Sequence, residues 1–263
     1  MENNVRLPLK IAVVILFVFL LVPVFVVIPL AFSNETTLRF PPASFSFRWY
    51  IEFFNNRTML SAMRTSALLG LVVTSVTLLV ALPAAWVIAR VKNAATEILY
   101  NVFTAPLLLP TIVLGLAILI GFAATGLLGS YTAIALGHLV LTLPYSLRIL
   151  ATALGGVPLI LEEAAATLGA TPFRVFRRVT LPLLAPGLLS AAALSFLVSF
   201  DEIVITLFLA GPRVSTLPVE MFRRLDSRSD PLIAAVSVIM IMLTLGVVLL
   251  VQRTVGLTRG FVR

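Results

Sequence analysis

The chain consists of long stretches without charged residues, separated by short charged breaks. A helix that crosses the hydrocarbon core of a bilayer needs about 20 apolar residues. The uncharged stretches are residues 11–34, 65–89, 98–147, 179–200 and 231–252. The third is long enough for two crossings, with a glycine-rich turn at 126–131. The pattern therefore predicts six membrane helices, at 11–32, 65–89, 98–125, 131–153, 183–210 and 231–252.

These segments predict an all-α, polytopic membrane protein. Lipid offers no hydrogen-bond partner to an open backbone, so a spanning segment must be a helix or part of a closed barrel. A membrane barrel would show segments of about ten residues with alternating polarity, whereas these stretches are continuously apolar. The first stretch is longer than the apolar region of a signal peptide. We therefore expect it to remain as an uncleaved anchor.

Prolines inside the predicted spans leave two interpretations open. Pro83, Pro106, Pro110 and Pro144 each remove a backbone donor and tend to kink a helix. Membrane helices commonly tolerate proline, because neighbouring groups re-satisfy the freed carbonyls. Alternatively, the kinks open a cavity between helices.

The distribution of Lys and Arg predicts the orientation of the chain. With the N-terminus inside, the inner segments hold eleven basic residues and the outer segments eight. Cytoplasmic loops are enriched in Lys and Arg, so both termini are predicted to be cytoplasmic. We divide the chain into a tail at 1–10, a first helix with its outer loop at 11–60, a transmembrane core at 61–252 that includes a charged segment at 158–182, and a second tail at 253–263.

Composition excludes several classes of protein and of site. Of 263 residues, 60% are hydrophobic and 11% charged, against about 45–50% and about 25% in soluble domains. A soluble globule, a disordered chain and a nucleic-acid-binding domain are therefore excluded, despite a net charge of +8. The chain has no Cys and one His, so it lacks a thiolate nucleophile and the ligands of a Cys/His metal site. Lys10 and Lys92 do not follow Gly, which excludes a Walker A phosphate loop.

The charged segment between the fourth and fifth predicted helices differs from its surroundings. Pro158 suits the first position of a helix, and Glu162 and Glu163 then fall near its positive end, where carboxylates are favoured. Gly169 is typical of a helix end, and Pro172 can begin the next helix. The pattern predicts two short amphipathic helices, set at an angle, at the inner membrane surface. An interfacial helix without a protein partner stays open as an alternative.

This segment resembles the EAA loop of ABC-importer permeases. The match comprises Glu163-Ala164-Ala165, then Gly169 after three residues, then Val179-Thr180-Leu181-Pro182 after nine more. The departure is Val179, where that family usually has Ile. In the family this loop contains the coupling helix, which docks in a groove of a separate ATPase subunit. We call residues 158–182 the coupling segment. The resemblance assigns the coupling to Glu162, Glu163, Ala164, Ala165, Gly169, Leu181 and Pro182, and implies that ATP and Mg are bound by the ATPase, with no cofactor in this chain.

Other stretches resemble the polyamine-type branch of these permeases, which imports spermidine, putrescine and related amines. They are Phe40-Pro41-Pro42, Phe47-Arg48-Trp49-Tyr50, Gly137-His138, Leu143-Pro144, Ser199-Phe200-Asp201-Glu202, Gly211-Pro212 and Thr216-Leu217-Pro218-Val219. The resemblance implies a transport subunit of the bacterial inner membrane, not an enzyme, that forms half of a pathway for a small cationic solute such as a polyamine.

The partners implied by the resemblance are proteins and lipid, with no nucleic acid among them. They are a second permease that is homologous but different, an ABC ATPase dimer at the cytoplasmic face, a periplasmic or lipid-anchored binding protein, and membrane lipid. The same machinery for an opine, an aminophosphonate or a metal chelate stays open as an alternative. An autonomous channel and a membrane-embedded enzyme are the alternatives from other classes.

Asp201 and Glu202 are the carboxylates predicted to lie within membrane depth, in the outer half of the fifth helix. A charge at the centre of a membrane helix costs about 2.5–3.5 kcal/mol, so it should face water or protein. On a continuous helix, Glu202 shares one face with Ser195, Ser199 and Thr206. We predict that these five residues form a polar wall for a cationic substrate.

Two alternatives to that wall follow from the same residues. The carboxylates can be a solvated outer end of the helix, or can form an ion pair with Arg64 at the mouth of the second helix. His138 has neither a second His nor a Cys with which to bind a metal. We therefore expect His138 to be a hydrogen-bonded residue between helices.

Overall fold

The computed structural model describes residues 2–212, 214–228 and 230–259. Its α-helices are α1 (Glu2–Ala31), α2 (Arg48–Asn55), α3 (Arg57–Arg90), α4 (Ala94–Thr104), α5 (Thr111–Ala123), α6 (Tyr131–Gly155), α7 (Leu159–Thr167), α8 (Pro172–Val175), α9 (Leu181–Phe200), α10 (Val204–Leu209), α11 (Leu217–Ser227) and α12 (Leu232–Arg259). In these described ranges the β-contacts are two isolated bridges. The predicted all-α class is therefore confirmed. Residue 1 and residues 260–263 of the predicted tails lie outside the described residues.

The predicted six membrane crossings agree with the structure when one bent pair of helices is counted as a single span. Five helices are long and apolar enough to span a bilayer: Leu9–Ala31, Arg57–Arg90, Tyr131–Gly155, Pro172–Phe200 and Leu232–Thr254. The pair formed by Ala94–Leu108 and Thr111–Ala123 makes the sixth when taken as one span. The turn predicted before α6 is also confirmed, since Gly126 and Gly129 have φ values of 70° and 75°.

The prediction of one continuous helix over 98–125 is wrong. A 3₁₀ turn, Ala105–Leu108, follows α4, and α5 leaves it at a bend of 106°. Pro106 lies in the turn, and Pro110 is the N-cap of α5, with an extended ψ of 135°. Proline cannot donate to the helical ladder and disfavours helical geometry in the residue before it. The two prolines therefore account for the bend.

The prediction of a continuous fifth helix over 183–210 is wrong at both ends. The span begins at α8 and passes through a π-helical turn, Phe176–Thr180, into α9. Residues 201–203 interrupt the helix before α10 begins. The second of the two short helices predicted in the coupling segment is therefore the beginning of the fifth span.

The chain divides into two compact units. One takes the chain up to Leu60 together with Met221–Leu243, and the other takes Ser61–Glu220 together with the chain from Thr244 onward. The coupling segment and the break in the fifth span both belong to the second unit. The candidate site can therefore be described within that unit alone.

An ion-pair cluster connects two short helices of the first unit, α2 and α11. The Nη2 atom of Arg224 in α11 lies 2.6 Å from Oδ2 of Asp230 and 2.8 Å from Oε1 of Glu52 in α2. Burial by itself lowers the pKa of Arg224, but the hydrogen bonds and charges of Asp230 and Glu52 outweigh burial and raise it. The cluster therefore links α2 and α11 to the residues that precede α12.

In the second unit, α6 and α9 pack side by side. Their apolar contact includes Leu147, Leu150, Leu154, Leu184 and Ala191, which are all buried. The backbones approach closely at Gly187 of α9, where an added Cβ would lie 2.5 Å from the Cβ of Ala153. Glycine is required at this position because even a methyl group has no room.

Candidate functional site

The coupling segment begins with α7, whose N-terminus lies one residue later than the sequence predicts. Pro158 is the N-cap, with ψ 125°, and Leu159 is the first helical residue. The prediction of Pro158 as the first helical residue is therefore wrong by one position. Glu162 lies in the first turn, where the helix dipole favours a carboxylate.

The predicted end of α7 at Gly169 is confirmed. Gly169 has a φ of 81°, which few residues other than glycine adopt readily. Its N–H donates to the carbonyl of Ala166 at 2.9 Å, and the N–H of Ala170 donates to that of Ala165 at 3.1 Å. These two bonds form a Schellman motif, which closes the helix and releases the chain toward α8.

The helix α7 is largely exposed within the second unit. No residue of α7 is buried, and the side chains of Leu168 and Ile160 are 89% and 66% exposed. Almost every position of α7 is exposed, and five of the exposed residues are spaced by three and four, so these five share one side of the helix. We call this set the coupling face: Ile160, Glu163, Ala164, Thr167 and Leu168. It therefore includes Glu163 and Ala164 of the predicted motif, whereas Ala165 is partly buried.

The two neighbouring glutamates of the motif point in different directions. Glu163 is exposed on the coupling face. Glu162 turns inward, and its Oε1 accepts hydrogen bonds from Nη2 of Arg90 at 2.7 Å and from the hydroxyl of Thr180 at 2.8 Å. The structure thus separates an outward carboxylate, available to a partner, from an inward one that is already paired.

The end of the motif marks the beginning of α9. Leu181 and Pro182 are its first two residues, directly after the π-helical turn. The helix continues from the π-helical turn into α9, and Pro182 has no N–H to donate, so the ladder has one hydrogen bond fewer at this position. Pro182 is exposed and Leu181 is partly exposed. Both residues directly follow Thr180, the donor to Glu162.

The hydroxyl residues predicted for the substrate wall are buried in contacts with α6. Ser195 lies 2.6 Å from the hydroxyl of Ser146. Ser199 and Thr206 each lie 2.8 Å from a ring nitrogen of His138, at Nδ1 and Nε2 respectively. All of these side chains are buried. The prediction of His138 as a hydrogen-bonded residue between helices is confirmed.

The carboxylates of the predicted wall lie at the break between α9 and α10. Asp201 is exposed, and Glu202 is partly buried. Oε1 of Glu202 accepts a hydrogen bond from the N–H of Ile205 at 2.9 Å, which caps α10. Because the helix is interrupted there, the continuous face predicted through Glu202 does not exist. The five residues lie within one short stretch, and their role in a substrate pathway stays a prediction.

The alternative ion pair between the carboxylates and Arg64 does not form in the described part of the chain. Among the described residues no ion pair joins Arg64 to Asp201 or Glu202, and Arg64 and Asp201 are both exposed. The solvated end of the helix therefore remains as the alternative to a substrate wall.

Sequence reasoning predicted the role of His138 but missed the contacts of Arg90, Thr180, Thr142 and Ser146. His138, Thr142 and Ser146 are spaced by four residues and completely buried. Thr142 lies 2.8 Å from the hydroxyl of Thr77 in α3. The four-residue spacing of polar side chains in an apolar helix is the signal that could have identified this stripe, since it predicts a protein-facing side.

The contact at His138 predicts a loss of stability when its partner is removed. Thr206→Val keeps the shape of the side chain but leaves Nε2 of a buried imidazole without a partner. We expect the free energy of unfolding to fall by about 0.5–2 kcal/mol, measured as thermal denaturation in detergent. The matched control is Thr104→Val, because the Thr104 hydroxyl donates within its own helix to Tyr100. Equal denaturation midpoints for the two variants would contradict the prediction.

A family profile described as "Binding-protein-dependent transport system inner membrane component" matches residues 77–256. The chain belongs to this family. The matched range includes α6, the coupling segment and the fifth span. The elements described above therefore lie within the part of the permease that the family shares. It is a multi-pass membrane protein and a transport subunit, and not an enzyme.

Individual proteins similar to this chain are also permeases. The permease is 31% identical over 245 residues to the putrescine transport system permease protein PotI of Escherichia coli (strain K12), covering 90% of this chain and 87% of PotI. It is 26% identical over 238 residues to the spermidine/putrescine transport system permease protein PotC of Haemophilus influenzae, covering 90% of this chain and 92% of PotC. The relatives therefore match this permease along most of their length.

The fold is shared with a solved transporter. A chain of a bacterial ABC transporter involved in the import of the acidic polysaccharide alginate aligns with a TM-score of 0.73 at 14% identity, covering 96% of both chains. Permeases of this kind operate with ATPase subunits and a substrate-binding protein. The alginate system carries an anionic cargo, so the fold itself does not determine the substrate.

Proposed function

We propose that this permease forms one half of the membrane pathway of an ATP-driven importer of small cations of the polyamine class. The observation that carries the proposal is the match along 90% of the chain to the putrescine and spermidine/putrescine permeases. The carboxylates at the break between α9 and α10 agree with a cationic cargo. A protonated diamine or triamine would be attracted by the negative charges of Asp201 and Glu202.

The break in the fifth span supports a role for these carboxylates in the pathway. Interrupted backbone at membrane depth is tolerated where it is buried in protein or lines a water-filled cavity. Asp201 is exposed rather than buried within the second unit. An exposed charge of this kind suits a water-filled pathway completed by a second permease chain, which we propose to be homologous but different.

The coupling face supports a proposal for how the permease is driven. It presents Ile160, Glu163 and Leu168 on one exposed side of α7, which suits a helix that docks in a groove. We assign that groove to an ABC ATPase dimer on the cytoplasmic side, which would bind the ATP and Mg. Both termini of the permease would then be cytoplasmic, and a periplasmic or lipid-anchored binding protein would deliver the substrate from the other side.

Transport in this proposal is alternating access. Closure of the ATPase dimer would displace α7 and favour the outward-facing state, and release of the nucleotide products would restore the inward-facing state. A dication that enters a cell with an inside-negative potential gains about 4.6 kcal/mol at 100 mV. ATP would therefore be needed for direction and for accumulation beyond that limit.

The proposed cargo is tested by neutralising the carboxylate pair. In Asp201→Asn/Glu202→Gln, the amide oxygen of residue 202 can still cap α10, so the fold is preserved. The variant loses the attraction between the two carboxylates and the cationic substrate. If that attraction contributes about 1.4 kcal/mol to transport, uptake of labelled putrescine and spermidine by the reconstituted complex should fall about tenfold.

The control removes two charges elsewhere on the permease. Asp226→Asn/Glu97→Gln neutralises exposed carboxylates in α11 and α4, and we expect its uptake to equal that of the wild type. Unchanged amine uptake by the Asp201/Glu202 variant, with the ATPase subunits attached, would reject a direct role of the pair. ATP-driven uptake of an opine, an aminophosphonate or a metal chelate, without uptake of amines, would reject the cargo.

A further inference from the structure

We propose that Arg90 and Thr180 are positioning residues that fasten α7 to the second and fifth spans through Glu162, so that displacement of the coupling face moves both spans together. We call Arg90, Glu162 and Thr180 the Glu162 latch. The inference rests on the proposed function, because it takes the coupling face as the place where the ATPase acts.

The latch joins three elements that are far apart in the sequence. Arg90 is the last residue of α3, Glu162 lies in the first turn of α7, and Thr180 is the last residue of the π-helical turn before α9. Both donors meet the same carboxylate oxygen, at 2.7 Å and 2.8 Å. A movement of Glu162 is therefore transmitted directly to the ends of two membrane spans.

Arg90 also contacts the main chain where α6 passes into α7. Its two terminal nitrogens donate to the carbonyl of Val157 at 3.4 Å. The side chains of Arg90 and Glu162 are only 9% and 15% exposed. A charge pair that is largely shielded from water is screened less by salt than a surface pair. Arg90 thus fixes both the carboxylate of α7 and the backbone that leads into it.

Polar contacts, rather than apolar packing, hold α7 in the second unit. No residue of α7 is buried, and the large apolar side chains Leu159, Ile160 and Leu161 are all exposed. This contrasts with α6 and α9, which share a buried apolar cluster. The position of α7 relative to the spans therefore depends on a few polar contacts. The ion pair between Glu162 of α7 and Arg90 is one of them, and it belongs to the latch.

The π-helical turn explains how Thr180 reaches the latch. A π-helical turn is wider than an α-helical turn and rotates the side chains that follow it, and such turns are frequent at functional sites. Here it directs the Thr180 hydroxyl, which is almost completely buried, toward Glu162 at the point where α9 begins. The span that α9 begins continues to the break at 201–203 and its carboxylates. The latch thus connects the coupling face to the proposed pathway through one continuous element.

Loss of the latch is expected to uncouple hydrolysis from transport. In complexes with the ATPase subunits and the binding protein, Glu162→Gln and Arg90→Gln should retain attachment and ATP hydrolysis. We expect putrescine uptake per ATP hydrolysed to fall at least about fivefold, which is the lower range of coupling between sites. Thr180→Val should lower the same ratio, and Thr180→Ser, which restores the hydroxyl, should recover it. Glu97→Gln is the matched control, since Glu97 is exposed on α4, and it should behave as the wild type.

A second measurement tests the latch on the permease alone, independently of cargo and ATPase. The chain contains no Cys, so spin labels can be attached at Ile160→Cys in α7 and Leu189→Cys in α9, which are both exposed positions. We expect a narrow distance distribution in the wild-type background, a broader one in Glu162→Gln and Arg90→Gln, and a narrow one in Glu97→Gln. The charge-swapped variant Arg90→Glu/Glu162→Arg should be narrower than either single variant.

Failure of the latch and failure of the proposed function have different signatures. Wild-type complexes without ATP-dependent amine uptake would reject the proposed function and leave the distance measurement as the test of the latch. Wild-type coupling in Glu162→Gln and Arg90→Gln, or distance distributions as narrow as those of the wild type, would overturn the latch. If both variants fail to assemble while Thr180→Val remains fully coupled, the cluster is merely structural, and the proposal is again overturned.

Discussion

Uptake is expected to fall to background, and the ATPase subunits to detach, in the variant Leu168→Asp/Ala164→Arg. Leu168 is 89% exposed at the end of the coupling face, and Ala164 lies one helical turn before it. Docking of this face in a groove would bury both side chains. Taking the two introduced charges out of water costs several kcal/mol per ion, and the ion pair that they can form with each other at i,i+4 offsets only about 0.2–0.5 kcal/mol. The affinity should therefore fall by more than about a hundredfold. The measurement is copurification of the ATPase with the tagged permease, followed by uptake in vesicles.

The control introduces the same two charges outside the coupling segment. Val91 and Ala95 are exposed near the junction of α3 and α4, and Val91→Asp/Ala95→Arg should retain the ATPase and transport. If the Leu168/Ala164 variant also retained both, the docking of α7 would be refuted. Detachment in both double variants would instead indicate that the ATPase binds a broader surface than the coupling face.

Gly187→Val is expected to destabilise the permease more than the loss of the hydrogen bond in Thr206→Val. An added Cβ would lie 2.5 Å from the Cβ of Ala153. Ala153 has no rotamer by which to withdraw, so α6 and α9 must move apart. Overpacking of a core usually costs about 1–3 kcal/mol, and we expect a cost in the upper part of that range, which corresponds to a fall of about 5–10 °C in the denaturation midpoint.

A chemically identical substitution provides the control for Gly187→Val. Gly121 in α5 has no atom within 4 Å of an added Cβ, so Gly121→Val should change the midpoint little. Both variants replace a helical glycine by the same β-branched residue, and their difference isolates the steric contact. Equal midpoints would show that the contact between α6 and α9 tolerates the added side chain.

The number of spans could be predicted from the sequence because it depends on a local property. Each span needs a continuous apolar stretch of sufficient length, and lipid requires its backbone to be helical. The end of α7 was equally predictable, since the φ of 81° at Gly169 favours glycine whatever the surroundings. The EAA spacing likewise led directly to the family, because its residues are close together in the chain.

The bend of the third span and the break in the fifth were not predictable in the same way. Hydropathy is uniform across 98–125 and does not distinguish a tolerated proline from one at a bend. At 201–203 the interruption is supported by tertiary contacts. His138 of α6 bonds to Ser199 before the break and to Thr206 after it. The bond that caps α10, from the N–H of Ile205 to Glu202, is local. The bridge that holds α9 and α10 together across the break comes from α6, more than 60 residues away, and short-range sequence does not reveal it.

The apolar stretches and the short-range motif by themselves determined that this protein is a six-span helical permease with a coupling segment before the fifth span. Only the tertiary structure decided what each polar residue in those elements contacts. Glu162 and Glu163 are neighbours of identical chemistry, yet one is paired with an arginine 72 residues away and the other is exposed. The physical reason is that successive helical residues are rotated by about 100°. The partner that each side chain then meets is set by how separate helices pack.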